Sequence, residues 1–153
     1  MQLSLQRAEV ELALRHGESA RDLAGDVLAL VTASPQRTYL KLTEARATLD
    51  LGKALHLLGA HALAEPVLRS AVQLYASLYD VAASPTFADA LVALSDCLVD
   101  LHRIDEARSL ADRVSSIQVA NTRLGPRYRE PIEKLRAHLK AATHASVAVT
   151  DKP

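Results

Sequence analysis

The sequence is short of aromatic residues. Tryptophan is absent, phenylalanine occurs once, at Phe87, and the four tyrosines are scattered along the 153 residues. A core of this size ordinarily uses several large rings, so smaller side chains must fill the interior. Alanine and leucine do so, a mixture that favours helices by propensity and thin, closely packed layers by volume. Glycine and proline are sparse too, five and six, which suits long elements with short connections. The single cysteine, Cys97, cannot close an intramolecular disulfide, so nothing requires an oxidising compartment. No run of eighteen apolar residues exists, which excludes a membrane-spanning helix. Basic and acidic residues balance at 18 each, which argues against non-specific nucleic-acid binding but leaves a protein partner open. The first residues carry Glu and Arg and no apolar core, so no signal peptide is expected, and the default expectation is a cytoplasmic protein or a fragment of one.

What is present is helical periodicity from nearly end to end, without useful strand alternation. "RHGES" (15–19) separates a first helix from a second, and "ASPQ" (33–36) ends the second. A long third helix runs to about Leu58, and a fourth, after "GAH", to about Tyr79. In "AASPTF" (82–87), Ser84 can cap a fifth helix with Pro85 at its first position, and Ser34-Pro35 reads as the same device. "LHRID" (101–105) divides helices five and six, and "NTRLGP" (121–126) introduces a seventh ending near Ala141. The last residues show no periodic face and read as a flexible tail, 143–153.

The chain also resembles itself. Leu51, Gly52, Leu55, Leu58 and Ala64 align with Leu94, Ser95, Leu98, Leu101 and Ala107 at an offset of 43. Leu14 and Ala20 precede Leu58 and Ala64 by 44, in a weaker copy. Helix pairs recurring every forty-odd residues are the mark of a helical solenoid. Small residues such as Ala64 and Ala107 would let two helices cross closely, and Gly59 would permit the turn between them.

These residues resemble the tetratricopeptide repeat: Leu51-Gly52, Leu55, Gly59, Ala64, Leu68 and Ala71 match its Leu-Gly pair, turn Gly and second-helix Ala. "GAHALAEPVLRSAV" (59–72), with the Pro85 and "LGP" (124–126) openings, is similar to the longer variety found in kinesin light chains and related bacterial proteins. In the third repeat Ser95 stands at the motif Gly and His102 at the turn Gly. In the first, the Gly is displaced to Gly17.

The resemblance implies an all-α fold, a right-handed α-solenoid of three helix pairs (about 3–33, 35–80 and 84–119) with a capping helix at about 127–141, together a domain of residues 1–142. It implies a concave groove lined by the first helix of each pair. On this sequence the groove residues would be Glu9, Arg46, Leu49, Asp50, Lys53, His56, Asp89, Val92, Asp96 and Asp100. The positions that match a carboxylate clamp in some members, Leu5, Glu9, Asp50, Asp89 and Ala93, offer no cation, so that mode is not expected. Asp89, Asp96 and Asp100 fall on one helical face by spacing alone. Spread over about 17 Å of helix, they would attract a basic ligand.

Chemistry is not signalled. There is no Cys pair or HExxH. His56 and His61, five apart, are poorly spaced for shared metal ligation on one helix. Cys97 sits among Leu94, Leu98 and Leu101 as a small core residue. The expected function is therefore non-enzymatic and cofactor-free: an adaptor, scaffold or regulatory module that binds a protein or peptide segment, with a preference for a basic one. An alternative is self-assembly, with the acidic face of one copy meeting the basic end (Arg123, Arg127, Arg129, Lys134, Arg136, Lys140) of another. Another is a sensor fragment of a larger bacterial regulator or kinase.

Overall fold

The structure, a computed structural model, describes residues 1–122 and 125–150, the last six as backbone only. Seven α-helices and no strand are found among the described residues: α1 (Gln2–Ala13), α2 (Gly17–Ala33), α3 (Lys41–Leu57), α4 (His61–Leu78), α5 (Pro85–Asp100), α6 (Ile104–Ala120) and α7 (Pro126–Thr150). The chain divides into two compact units, Met1–Tyr79 with α1 to α4, and a second from Asp80 with α5 to α7.

In the first unit consecutive helices pack against one another and α3 also meets α1. Its interior is made of small residues, Ala8, Ala20, Ala24, Ala45, Ala54, Ala64 and Ala71, closed by Leu5, Val27, Val31, Leu68 and Tyr75. The second unit packs α5 against α6 and lays α7 on both. Phe87, Leu91, Leu94 and Leu98 of α5 are buried there with Val114 and Ile117 of α6 and Ile132 and Leu135 of α7.

The hairpins α1–α2, α3–α4 and α5–α6 share one turn. Each first helix ends in a residue with left-handed backbone: Arg15 (φ 61°), Gly59 (φ 77°) and His102 (φ 60°). In each, the next amide reaches back across the helix end, His16 N–H to the Glu11 carbonyl, Ala60 to Leu55 and Arg103 to Leu98, at 2.8, 3.0 and 2.9 Å. This is a Schellman closure, which satisfies carbonyls that a helix end would otherwise leave bare. Each following helix then starts with a bond to an alanine amide, at Ala20, Ala64 and Ala107, all fully buried. The turn of the first hairpin therefore falls on Arg15 and not on Gly17. Gly17 opens α2, where an added Cβ would lie 2.9 Å from the Leu58 side chain.

Left-handed backbone strains a residue with a Cβ by about 1–2 kcal/mol, partly offset by the extra chain entropy a glycine loses on folding. His102→Gly, at an exposed position, is accordingly expected to raise stability by about 0.5–1 kcal/mol. Thermal and urea unfolding of the variant beside the parent will measure it; a loss would mean that the imidazole makes a contact worth more than the strain.

Two boundary expectations need correction. Ser84 does cap α5, its Oγ accepting the Phe87 amide at 3.2 Å with Pro85 at the start of the helix. Ser34-Pro35 is a different device: Ser34 ends α2 with extended backbone, and its Oγ accepts the Gln36 amide at 3.1 Å, a turn and not a cap. A 3-10 turn, Arg37–Leu40, follows before α3 begins at Lys41. It is held by the Arg37 guanidinium, which donates to both oxygens of the buried Glu44 carboxylate at 3.2 and 2.5 Å. That bond and the carboxylate's charge hold the Arg37 guanidinium above its ordinary range. Helix α7, in turn, does not stop near Ala141 but runs to Thr150. Alanine-rich residues favour its continuation, and Arg108 of α6 donates to Thr143 Oγ1 at 2.6 Å. Of the expected tail, residues 151–153 lie outside the described residues, as do Arg123 and Leu124 at the start of the expected basic end.

Candidate functional site

The residues expected to line a groove fall on faces of α1, α3 and α5. In the first unit, Glu9 of α1 and Arg46 of α3 meet directly: Arg46 Nη2 donates to Glu9 Oε1 at 2.8 Å, with both side chains about one third exposed. Burial works against the Arg46 cation, but the hydrogen bond and charge of Glu9, the charge of Asp50 one turn along α3, and Tyr75 of α4 outweigh it. The guanidinium is held above its ordinary range. This face therefore carries a neutralising pair, Glu9 with Arg46, and is not an open row of one sign.

Leu49 and Asp50 are buried, at 3% and 5% exposure, so a ligand on this face would meet chiefly Glu9, Arg46, Lys53 and His56, all half-buried. His56 stands in the last turn of α3 and His61 at the first position of α4, so the two are not on one helix. The turn at Gly59 folds them together, with Nδ1 atoms 3.2 Å apart and rings edge to face at a centroid distance of 4.9 Å. Contrary to the expectation from their spacing, the two imidazoles can therefore act together.

In the second unit, Asp89, Asp96 and Asp100 do share a face of α5, and α7 lies along it. Asp89 and Val92 join Pro85 and Ala88 around a small cleft closed from α7 by Tyr128, Pro131 and Ile132. Two turns further, His138 of α7 stands between the other two carboxylates, Nδ1 2.6 Å from Asp96 Oδ1 and Nε2 3.4 Å from Asp100 Oδ1. A protonated imidazole can donate to both at once. The basic residues of α7 are in part engaged at home: Arg136 donates to Gln118 and Ser115 of α6 at 2.8 and 3.3 Å, and Arg127 lies 6.0 Å from the Tyr128 ring.

Sequence reasoning missed His138, because 42 residues separate it from Asp96 and no local pattern links them. It could have found the His56–His61 approach, since the turn between them was readable. Cys97 is fully buried in α5, as expected of a core residue. No helix among the described residues is long and apolar enough to cross a membrane. Compared with protein-family models, curated proteins and solved structures, the chain matches none.

Proposed function

We propose that the chain is a non-enzymatic protein-interaction module of tetratricopeptide-like helix hairpins, acting as an adaptor, scaffold or regulatory domain, and that it takes a helical segment bearing basic residues along α5. The observation that carries this reading is the seat of α7. An apolar strip of α7 (Tyr128, Pro131, Ile132) meets Val92 and its neighbours, while the His138 imidazole meets the Asp96 and Asp100 carboxylates. That is the chemistry of an amphipathic helix laid in a groove, with apolar anchors beside charge complementarity. A partner helix of the same pattern, with Lys or Arg where α7 carries His138, would compete with α7 for this face. The recurrence of one turn geometry in three hairpins supports the repeat reading.

The test is fluorescence anisotropy with synthetic amphipathic helices, basic and charge-reversed, at low and moderate salt. The basic series is expected to bind more tightly at low salt. Changing Asp89, Asp96 and Asp100 together to Asn is expected to weaken it by about tenfold, on the order of 1.4 kcal/mol, and to flatten its salt dependence. Equal binding of both peptide series, or indifference to the triple change, would end the proposal.

A further inference from the structure

We propose that His56 and His61 form a divalent transition-metal site, of the kind that takes Zn²⁺ or Ni²⁺, at the α3–α4 turn. Imidazole is a preferred ligand for both ions. Two nitrogens bound at about 2.0–2.1 Å lie about 3.3–3.4 Å apart in a tetrahedral site and about 2.9 Å apart at right angles. The Nδ1 atoms here stand 3.2 Å apart, between the two, so an ion can be accepted with little movement of either ring.

The backbone holds this spacing. Gly59 takes the left-handed conformation. Its amide bonds the His56 carbonyl at 2.9 Å, and the Ala60 amide bonds that of Leu55 at 3.0 Å. Both anchoring residues therefore belong to one closed turn, and the chelate needs little ordering when the ion arrives. His56 also lies at the carbonyl end of α3, where a cation is favoured. Both rings are half-buried, which leaves them reachable from solvent.

Without metal, one ring donates its Nδ1–H to the Nδ1 lone pair of the other. With metal, both Nδ1 lone pairs bind the ion, the donor ring's Nδ1 proton passes through solvent to its own Nε2, and that ring joins the other as an Nε2–H tautomer. No net proton is lost in the exchange.

The experiment is a titration of the full chain with Zn²⁺ alone, and separately Ni²⁺ alone, by calorimetry at neutral pH in a non-coordinating buffer. One site per chain is expected. His56→Gln and His61→Gln, each checked for intact helix content, should weaken it by about tenfold or more, the loss of one of two imidazole ligands. His16→Gln and His138→Gln serve as controls, because His16 lies 2.8 Å from Glu11 and His138 lies against two carboxylates. These two changes should leave binding unaltered. On the unaltered chain, nitrogen-15 spectra of the histidine rings should show the Nδ1 signals of both His56 and His61 shifting as Zn²⁺ is added, and the ring that donates without metal converting from the Nδ1–H to the Nε2–H tautomer. This reading does not depend on any variant folding. No saturable binding, binding that survives at His56→Gln and His61→Gln, or ring signals of these two histidines that ignore Zn²⁺ would overturn the proposal.

Discussion

Gly52→Ala is expected to destabilise the protein by about 1–3 kcal/mol, although alanine is the better helix former by about 1 kcal/mol. Gly52 lies in mid-α3 against α4. A Cβ there would stand 2.5 Å from Leu68 Cδ2, 2.7 Å from Cγ and 3.4 Å from the Leu68 backbone nitrogen. Leu68 is fully buried, so it cannot swing aside without displacing its neighbours, and overpacking outweighs propensity. Leu68→Ala alone should cost about 2–5 kcal/mol through the cavity it leaves. Together the two changes should cost less than their sum by about 1 kcal/mol or more, because the new methyl group at 52 occupies part of that cavity. The other unit already uses this combination. At the 43-residue offset Ser95 replaces Gly52, and the counterpart of Leu68 is Ala111. Ser95 then fits, and its Oγ donates to the Ala107 carbonyl of α6 at 2.7 Å. Urea unfolding of the parent, both single variants and the double variant closes the cycle. Additive costs would mean that 52 and 68 do not share a contact.

The second large effect concerns the only phenylalanine. Phe87→Ala is expected to cost about 3–5 kcal/mol, the range for emptying a buried ring site. Phe87 is 1% exposed. It sits in the first turn of α5, where its amide is held by the Ser84 cap, and the Arg113 guanidinium of α6 lies 5.4 Å from its ring centre. In a chain this poor in aromatics, alanine and leucine neighbours have little bulk with which to collapse into the gap. Phe87→Leu keeps much of the volume and should cost about 1.5 kcal/mol or less. Urea midpoints for the two variants provide the check. Near-equal costs would show that shape at this site matters more than volume.

Much of the helical organisation is legible in the sequence. The breaks at 15–19, 33–36, 59–61 and 101–105 fall where helices end, and the Ser84-Pro85 start holds down to its hydrogen bond. His102 stands in the sequence where the repeat pattern has its turn glycine, and its positive φ agrees. The failures are equally specific. Ser34-Pro35 has the same two residues as Ser84-Pro85, yet the hydroxyl takes an amide two residues on instead of three. The difference lies downstream, where the Arg37–Glu44 pair draws the chain into a 3-10 turn. Gly17 looked like a displaced turn residue, but its small size serves packing, and Arg15 bears the strained conformation.

The candidate sites were less legible. The sequence placed Asp89, Asp96 and Asp100 on one face, because helical spacing is a property of a single element. It could not place His138 among them, nor join Glu9 to Arg46 across 37 residues. By itself, then, the sequence determined the helices, the hairpin turns and the small residues between paired helices, since each depends on forces acting within a turn or one hairpin. The tertiary structure alone decided the meetings between helices distant in the chain, Glu9 with Arg46 and His138 with Asp96 and Asp100. Those meetings depend on how helices distant in the chain pack, and a side chain's partner there is set by axis position and rotation, which no local periodicity encodes.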